Sequence, residues 1–228
     1  MFTHAITRIP GENFADGLTT STLGRPSYPL IQQQHQAYRQ ALQTLGLDVI
    51  VLPAEQGFPD AYFVEDPAIV TPRIAVITRP GAPTRQGEEI TLEPVLTQYR
   101  PVFHIHSPGT VEGGDILMVE NHFFIGLSDR TNRAGASQLA DLLAAAGHTS
   151  TVVPVAAGLH LKSSVNYVGK NTLLITHQLA DHPAFASYEK ILVDQDGTIA
   201  PGGGGFDILF SATSGDTIRL RFKHHSGL

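Results

Sequence analysis

Apolar positions along the chain recur with two spacings, a period of two that is typical of strands and a period near 3.6 that is typical of helices. Residues 2–9 alternate and predict a first strand, which Pro10 and Gly11 end. Residues 30–45 place their apolar side chains on one helical face, and Gly46 follows where a left-handed C-cap belongs. Residues 47–52 then predict a second strand.

The middle of the chain repeats one order of elements, a strand hairpin, a helix and one further strand. The starts of the three hairpins, Asp66, Asp115 and Ser164, are spaced 49 residues apart. A constant period of this length indicates a repeated supersecondary unit. The predicted strands are 68–71, 73–78, 102–106, 116–119, 123–125 and 151–155, with a third hairpin across 169–171; the predicted helices are 88–99, interrupted or bent at Pro94, 132–146, ended by Gly147, and a weaker one at 183–188.

A ring of such mixed α/β units buries its strands on the inside and its helices on the outside. The loop before each hairpin then faces the centre of the ring. This arrangement predicts that Glu65, Glu112 and His160, from three successive repeats, surround one cavity.

Composition narrows the class of protein. The 228 residues are 42% hydrophobic and 16% charged, enough for a substantial core in one domain or two small ones. A net charge of −6 gives no basic surface for nucleic acid, and no apolar run approaches the length that spans a membrane. The first residues lack the pattern of a signal peptide, so a cytoplasmic location is expected. The sequence contains no cysteine, which excludes disulfides, cysteine metal sites and a thiol nucleophile.

Residues 58–67 combine three carboxylates with three aromatic rings, and Pro59 and Pro67 stiffen the two ends of the stretch. Carboxylates in a partly dry cleft bind a planar cation through charge-assisted hydrogen bonds, and an aromatic face adds a cation–π attraction. The stretch therefore predicts a pocket for a cation, with a solvated acidic turn as the alternative.

Arginines and one histidine extend this interpretation to a zwitterionic substrate. Arg79, Arg85 and Arg130 are candidates for binding a carboxylate, because a guanidinium matches it with two hydrogen bonds; exposed ion pairing is the alternative. His160 is a candidate for acid–base work, with a structural histidine as the alternative. His104 and His106 share one face of a strand, but without a third ligand we predict no metal site there.

Five stretches together resemble the dimethylarginine dimethylaminohydrolase family of guanidino-group-modifying enzymes: 63–67 (FVEDP), 77–82 (ITRPGA), 108–115 (PGTVEGGD), 130–132 (RTN) and 159–163 (LHLKS). The resemblance covers residues 1–194, which it identifies as one α/β domain. It implies a five-bladed pseudo-symmetric α/β propeller and hydrolysis of Nω-methylated arginine to citrulline and a methylamine, without a cofactor. The implied partner is a small guanidino amino acid, and a homodimer is one assembly to test.

The resemblance also implies a role for each matching residue. Glu112 would bind and polarise the guanidinium, and His160 would be the general acid–base. The remaining residues would line the head-group pocket (Asp60, Phe63, Glu65 and Asp66) or bind the amino-acid end (Arg85 and Arg130).

The family's nucleophile is a cysteine near the C-terminus, and here the sequence departs from the pattern. Residues 195–228 form a divergent, glycine-rich tail, consistent with a last repeat that is incomplete or degenerate. Residues 214–222 are similar to the family's closing strand, and Thr217 stands where the cysteine would be. A threonine hydroxyl without an adjacent activating amine is a weak nucleophile, so we expect substrate binding with turnover near background.

Two alternative functions stay open at this point. One is an arginine or agmatine deiminase, which shares the scaffold. The other is a non-catalytic propeller that binds a guanidino ligand or another protein.

Overall fold

The computed structural model describes residues 3–19, 24–155 and 160–193, together with the backbone of two further strands at 208–211 and 217–220. Contacts within the chain define two units. Unit 1 comprises Met1–Gly113 and Asp129–Gly147, and unit 2 comprises Gly114–Ser128 and His148–Leu228.

Unit 1 begins with a parallel pair of strands joined by a helix. Strand β1 (His4–Arg8) pairs with β2 (Asp48–Leu52), and helix α1 (Tyr28–Thr44) connects them. Gly46 follows the helix with a φ of 80°, the left-handed conformation that glycine adopts without a Cβ penalty. The two strands, the helix and its C-cap are therefore confirmed.

A three-stranded sheet follows in unit 1. Strand β3 (Ala68–Val70) runs antiparallel to β4 (Ala75–Ile77), and β4 runs parallel to β5 (Val102–His104). The prediction of a helix over 88–99 is wrong, because helix α2 spans only Glu93–Leu96. Pro94 lies in the first turn of α2, where its missing N–H costs nothing, and Gly87 has a φ of 112° that no helix accommodates.

Helix α3 (Arg133–Ala145) completes unit 1. The side chain of Asn132 accepts a hydrogen bond from the Gly135 backbone N–H at 2.8 Å and so satisfies one free donor of the first turn. Gly147 follows the helix with a φ of 83°. The predicted helix over 132–146 is confirmed, and its buried residues are Gly135, Ala136, Leu139 and Leu143.

Unit 2 repeats the same sheet twice. Strands β6 (Ile116–Val119), β7 (His122–Leu127) and β8 (Thr149–Pro154) form the first sheet, and β9 (Val165–Gly169), β10 (Thr172–Thr176) and β11 (Glu189–Val193) form the second. In both, the first two strands are antiparallel and the last two are parallel. The helix predicted at 183–188 is replaced by a 3-10 turn (Pro183–Phe185). Helix α4 (His177–Ala180) lies just before this turn.

The three complete sheets confirm the internal repeat, since each has one antiparallel and one parallel neighbour around its central strand. Two apolar clusters pack on these sheets. The cluster of unit 1 contains Ala75, Ile77, Leu92 and Leu96, and the cluster of unit 2 is built around Phe124, Leu161, Leu173, Ile175 and Phe185.

Strands β12 (Ile208–Ser211) and β13 (Thr217–Leu220) form an antiparallel pair. The side chain of Thr217, the predicted position of the nucleophile, lies outside the described residues. In the part of the chain that the structure describes, no helix combines the length and the apolar character needed to cross a membrane.

Candidate functional site

The acidic stretch 58–67 folds as a series of tight turns between β2 and β3. The backbone N–H of Phe63 donates to the carbonyl of Asp60 at 3.0 Å, and that of Asp66 donates to Phe63 at 3.2 Å. The buried Asp60 carboxylate accepts from the Leu18 N–H at 3.0 Å, which fixes the stretch against the segment after β1. The acidic side chains are thus held by backbone geometry.

Arg85 lies at the centre of a buried cluster of charges in unit 1. Its side chain is 6% exposed; Nη1 donates to Asp66 Oδ2 at 2.7 Å, and Nη2 donates to Glu88 Oε1 at 2.5 Å. A third carboxylate, Glu112, has its Oε2 atom 3.8 Å from Arg85 Nη1. Burial alone would lower the pKa of Arg85, but the hydrogen bond to Glu88 and the charge of Asp66 raise it above its ordinary value.

Glu88 is a member of this cluster that the sequence analysis missed. Its side chain is fully buried. Burial raises the pKa of Glu88 to about 7, although its hydrogen bond to Arg85 acts in the opposite direction. The three-residue spacing from Arg85 is the one sequence signal that could have identified the pair, and the mistaken helix over 88–99 obscured it.

Glu112 is held from several sides. Its Oε1 atom accepts from the Ala82 N–H at 3.0 Å, and both of its carboxylate oxygens lie 3.4 Å from Arg130 Nη1. Its own backbone N–H donates to Thr131 Oγ1 at 3.1 Å. Since the Glu112 side chain is fully buried, these donors stabilise a charge that water does not reach.

Phe63 and Glu65 lie on the exposed side of the same stretch. The Phe63 ring is 48% exposed and packs on Tyr62, with 4.1 Å between ring centroids. Burial raises the pKa of Tyr38 on α1, and the nearby charge of Glu65 raises it further. Phe63 and Glu65 therefore border the loop surface, whereas Asp60 and Asp66 are buried.

His160 and Asp115 form a pair within unit 2. His160 Nδ1 lies 3.4 Å from Asp115 Oδ2, and Asp115 is fully buried. Asp115 also accepts from the Leu161 N–H at 2.9 Å and from Ser128 Oγ at 2.6 Å. A carboxylate fixed in this way restricts the orientation of the imidazole, and the acid–base role of His160 stays a prediction. From the sequence, Asp115 was predicted only as the start of a hairpin, and its pairing with His160 was not predicted.

A glycine permits the close approach of the His160 ring. A Cβ atom on Gly114 would lie 2.6 Å from the ring carbons Cγ and Cδ2, closer than side-chain atoms pack. Any other residue at position 114 would therefore displace the imidazole or the backbone.

Several predicted residues lie in other surroundings. Arg79 donates to Gln86 Oε1 at 3.3 Å. His104 Nε2 lies 3.1 Å from Glu93 Oε2, and the side chains of His104 and Glu93 are both partly exposed. Glu65 and Glu112 belong to unit 1 and His160 to unit 2, so the predicted common cavity stays a prediction.

The sequence was compared with protein families and with curated proteins. The model of the arginine deiminase family matches residues 56–192. A dimethylarginine dimethylaminohydrolase of Pseudomonas aeruginosa is 43% identical over 88% of this chain and 80% of its own length. A Streptomyces coelicolor protein of the same name is 31% identical, over 95% of this chain and 84% of its own.

Solved structures agree with these relatives. The Pseudomonas aeruginosa enzyme, as a cysteine-to-serine mutant complexed with citrulline, has a TM-score of 0.84 at 43% identity and covers 86% of this chain and 78% of its own. The N-terminal domain of a cyanobacterial arginine dihydrolase, at 16% identity and a TM-score of 0.73, shares the fold over 83% of this chain and 74% of its own. The α/β propeller class is confirmed, while the number of blades stays a prediction. The chain therefore belongs to the dimethylarginine dimethylaminohydrolase family.

Proposed function

We propose that this chain recognises Nω-methylated arginine with the carboxylate cluster of unit 1, and that it has the binding and acid–base groups of a dimethylarginine hydrolase. The buried set of three carboxylates with two guanidinium groups carries this proposal. The carboxylates of this set outnumber its guanidinium groups, which favours binding of a further cation. A relative at 43% identity is named dimethylarginine dimethylaminohydrolase, and the solved Pseudomonas aeruginosa structure is complexed with citrulline.

Asp66 and Glu112 are the proposed acceptors for the substrate guanidinium. Both are buried carboxylates held by hydrogen bonds, so they receive N–H donors without first having to reorganise. Phe63, Glu65 and Asp60 stay the predicted wall of the same pocket. Binding by paired carboxylates also favours a planar cation over an ammonium ion.

Arg85 and Arg130 are the residues predicted for the amino-acid end of the substrate. The Arg130 side chain is 19% exposed and that of Arg85 is 6% exposed. We place the substrate carboxylate on Arg130 first, because its side chain is the more exposed of the two.

The chemistry implied by the family needs a thiolate. Sulfur would attack the guanidinium carbon, dimethylamine would leave with a proton supplied by His160, and water would then release citrulline and restore the thiol. Because the 228 residues include no cysteine, we expect this chain to bind substrate with turnover near background. In that state the ground-state contacts remain and the covalent route is lost.

Calorimetric titration with dimethylarginine, arginine, citrulline and agmatine tests the proposed recognition. We expect a guanidino amino acid to bind, and Glu112→Gln to weaken its binding about ten- to hundredfold because a buried charged acceptor is lost. Glu12→Gln, an exposed site in unit 1, is the matched control and should leave affinity unchanged. If none of the four compounds binds to a folded chain, the proposal fails.

A deiminase-like specificity is the second candidate, because the arginine deiminase family model matches residues 56–192. The same titration distinguishes the two. Preference for unmethylated arginine would support the deiminase, and preference for agmatine would count against Arg85 and Arg130 as carboxylate-binding residues.

A further inference from the structure

The carboxylates that pair with Arg85 and Arg130 outnumber these two guanidinium groups. Asp66, Glu88 and Glu112 contribute three negative charges, and Arg85 and Arg130 contribute two positive ones. An uncompensated charge in a buried cluster is costly, so either a proton or another cation is needed for balance.

Glu88 is the member of the cluster best placed to hold a proton. Its Oε1 atom receives Arg85 Nη2 at 2.5 Å, whereas its Oε2 atom is buried and has no hydrogen-bond partner in the described part of the chain. Glu112, by contrast, receives a backbone N–H and lies beside two guanidinium groups. The carboxylate with the fewest donors loses most on ionising in a dry environment.

The charged neighbours of Glu88 come from several elements. Asp60 and Asp66 of the acidic stretch disfavour its ionised form, and Arg85 favours it. The charge of Glu88 also acts on the buried Arg8 of β1. Arg8 pairs with Glu55 at 3.0 Å, so its charge is largely compensated there. The balance around Glu88 is consistent with a pKa of about 7.

We propose that Glu88 is a positioning residue that holds the Arg85 guanidinium beside Asp66 and Glu112, and that it carries the proton that this cluster releases when a guanidinium cation binds. The inference rests on the proposed function. It deepens that function, because it predicts that a cationic ligand releases the Glu88 proton whereas a neutral ligand of the same shape does not.

Binding of a cation and release of the Glu88 proton are thermodynamically linked. A cation bound by Asp66 and Glu112 adds one positive charge to the cluster and favours the ionised form of Glu88, so the proton leaves for solvent as the cation enters. The affinity for dimethylarginine therefore rises as pH increases through about 7. Citrulline carries a neutral ureido group, and its binding should release no proton from Glu88.

Titration calorimetry of the full chain near pH 7, in two buffers that differ in ionisation enthalpy, measures the released protons directly. We expect about half a proton per dimethylarginine, because a group at its pKa is half protonated, and close to none for citrulline. Between pH 6 and pH 8 the affinity for dimethylarginine should rise roughly tenfold.

Glu88→Gln keeps an acceptor for Arg85 but cannot titrate, so it should abolish the Glu88 share of both effects. Glu89→Gln, the same change at the adjacent residue whose carboxylate accepts from the Gly87 N–H, should behave as the wild type. Apart from residues 88 and 89 themselves, the ionisable groups are the same in all three proteins, so the difference isolates Glu88. Glu88→Asp should restore proton release, which a merely structural role would not require.

The outcomes test the proposed recognition of dimethylarginine and the proton release from Glu88 separately. Binding of dimethylarginine with no more proton release than citrulline causes would overturn this inference and leave the proposed function intact. Equal proton release by the wild type and a folded Glu88→Gln variant would overturn it as well. If the Gln variant does not fold, the comparison of the two ligands in the wild type decides. Binding of neither ligand would overturn the proposed function and the inference together.

Discussion

At the scale of single residues, the buried carboxylates differ in how many donors each receives. Glu112 receives the Ala82 N–H and lies beside Arg130, and Asp115 receives the Leu161 N–H and the Ser128 hydroxyl. These two carboxylates lie among donors that stabilise the anion. Glu88 has Arg85 as its side-chain donor, and burial raises its pKa to about 7.

The free energy of unfolding of the ligand-free chain should depend on pH because Glu88 is buried. Its folded-state pKa of about 7 lies above the ordinary 4.5, so its contribution to the free energy of unfolding is fully present below about pH 4.5 and is lost as pH rises through about 7. We expect the wild type to lose about 3 kcal/mol relative to Glu88→Gln over this interval. Urea denaturation of both proteins at several pH values measures it, and a difference independent of pH would contradict the assignment.

Asp115→Asn tests the support of His160. The amide retains one acceptor, but its NH₂ group faces the Leu161 N–H or the Ser128 hydroxyl in place of an oxygen. We expect the free energy of unfolding to fall by about 1–3 kcal/mol. Asp129→Asn, the same change at an exposed residue, is the control. A wild-type denaturation curve for Asp115→Asn would show that the buried carboxylate does not hold this segment.

At the scale of elements, the strands could be predicted from the sequence and the packing of charges could not. Alternation of apolar residues and the 49-residue spacing identified the hairpins, because each sheet has a buried face and a tight turn. The apolar pattern over 88–99 failed because helix α2 there spans only Glu93–Leu96, with Pro94 in its first turn, and because Gly87 just before the range has a positive φ. That region folds as turns, and the turns bury Glu88 beside Arg85, a contact that helical periodicity does not reveal.

Helix α3 provides a test in which two effects of opposite sign compete. Gly135→Ala would ordinarily stabilise a helix by about 1 kcal/mol. Here a Cβ atom would meet the backbone carbonyl of Thr110, which cannot move freely, so we expect a loss of about 1–3 kcal/mol instead. Ser137→Ala, on the exposed side of α3, is the control and should stabilise by about 0.5 kcal/mol. Thermal denaturation showing that Gly135→Ala is stabilising would refute this packing argument.

At the scale of the whole molecule, family membership was predictable because its motifs are short, ordered and tied to loops before hairpins. The pairing of His160 with Asp115 was not, since 45 residues separate the two positions and only the fold of unit 2 brings them together. The same sheet order recurs in both units. Each unit therefore has a loop before a hairpin, and charged residues such as Asp66 and His160 lie in or next to these loops. The role of residues 195–228 stays a prediction.

Activity should depend on a thiol. We expect the wild type to release dimethylamine from dimethylarginine at a rate near background, because no cysteine is present to form the covalent intermediate. If residues 214–222 act as the family's closing strand, Thr217→Cys should produce detectable citrulline, and His160→Ala in that background should remove it. Citrulline formation by the wild type at an ordinary enzymatic rate would contradict the need for a thiol.

A crystal structure of the chain grown with dimethylarginine tests the central claim most directly. We predict that the guanidinium lies within hydrogen-bonding distance, about 2.7–3.2 Å, of the carboxylates of Asp66 and Glu112, with the Arg85–Glu88 pair retained beside it. A ligand bound elsewhere, or one whose guanidinium faces solvent while Asp66 and Glu112 keep only their present partners, would contradict the assignment of this cluster as the recognition site.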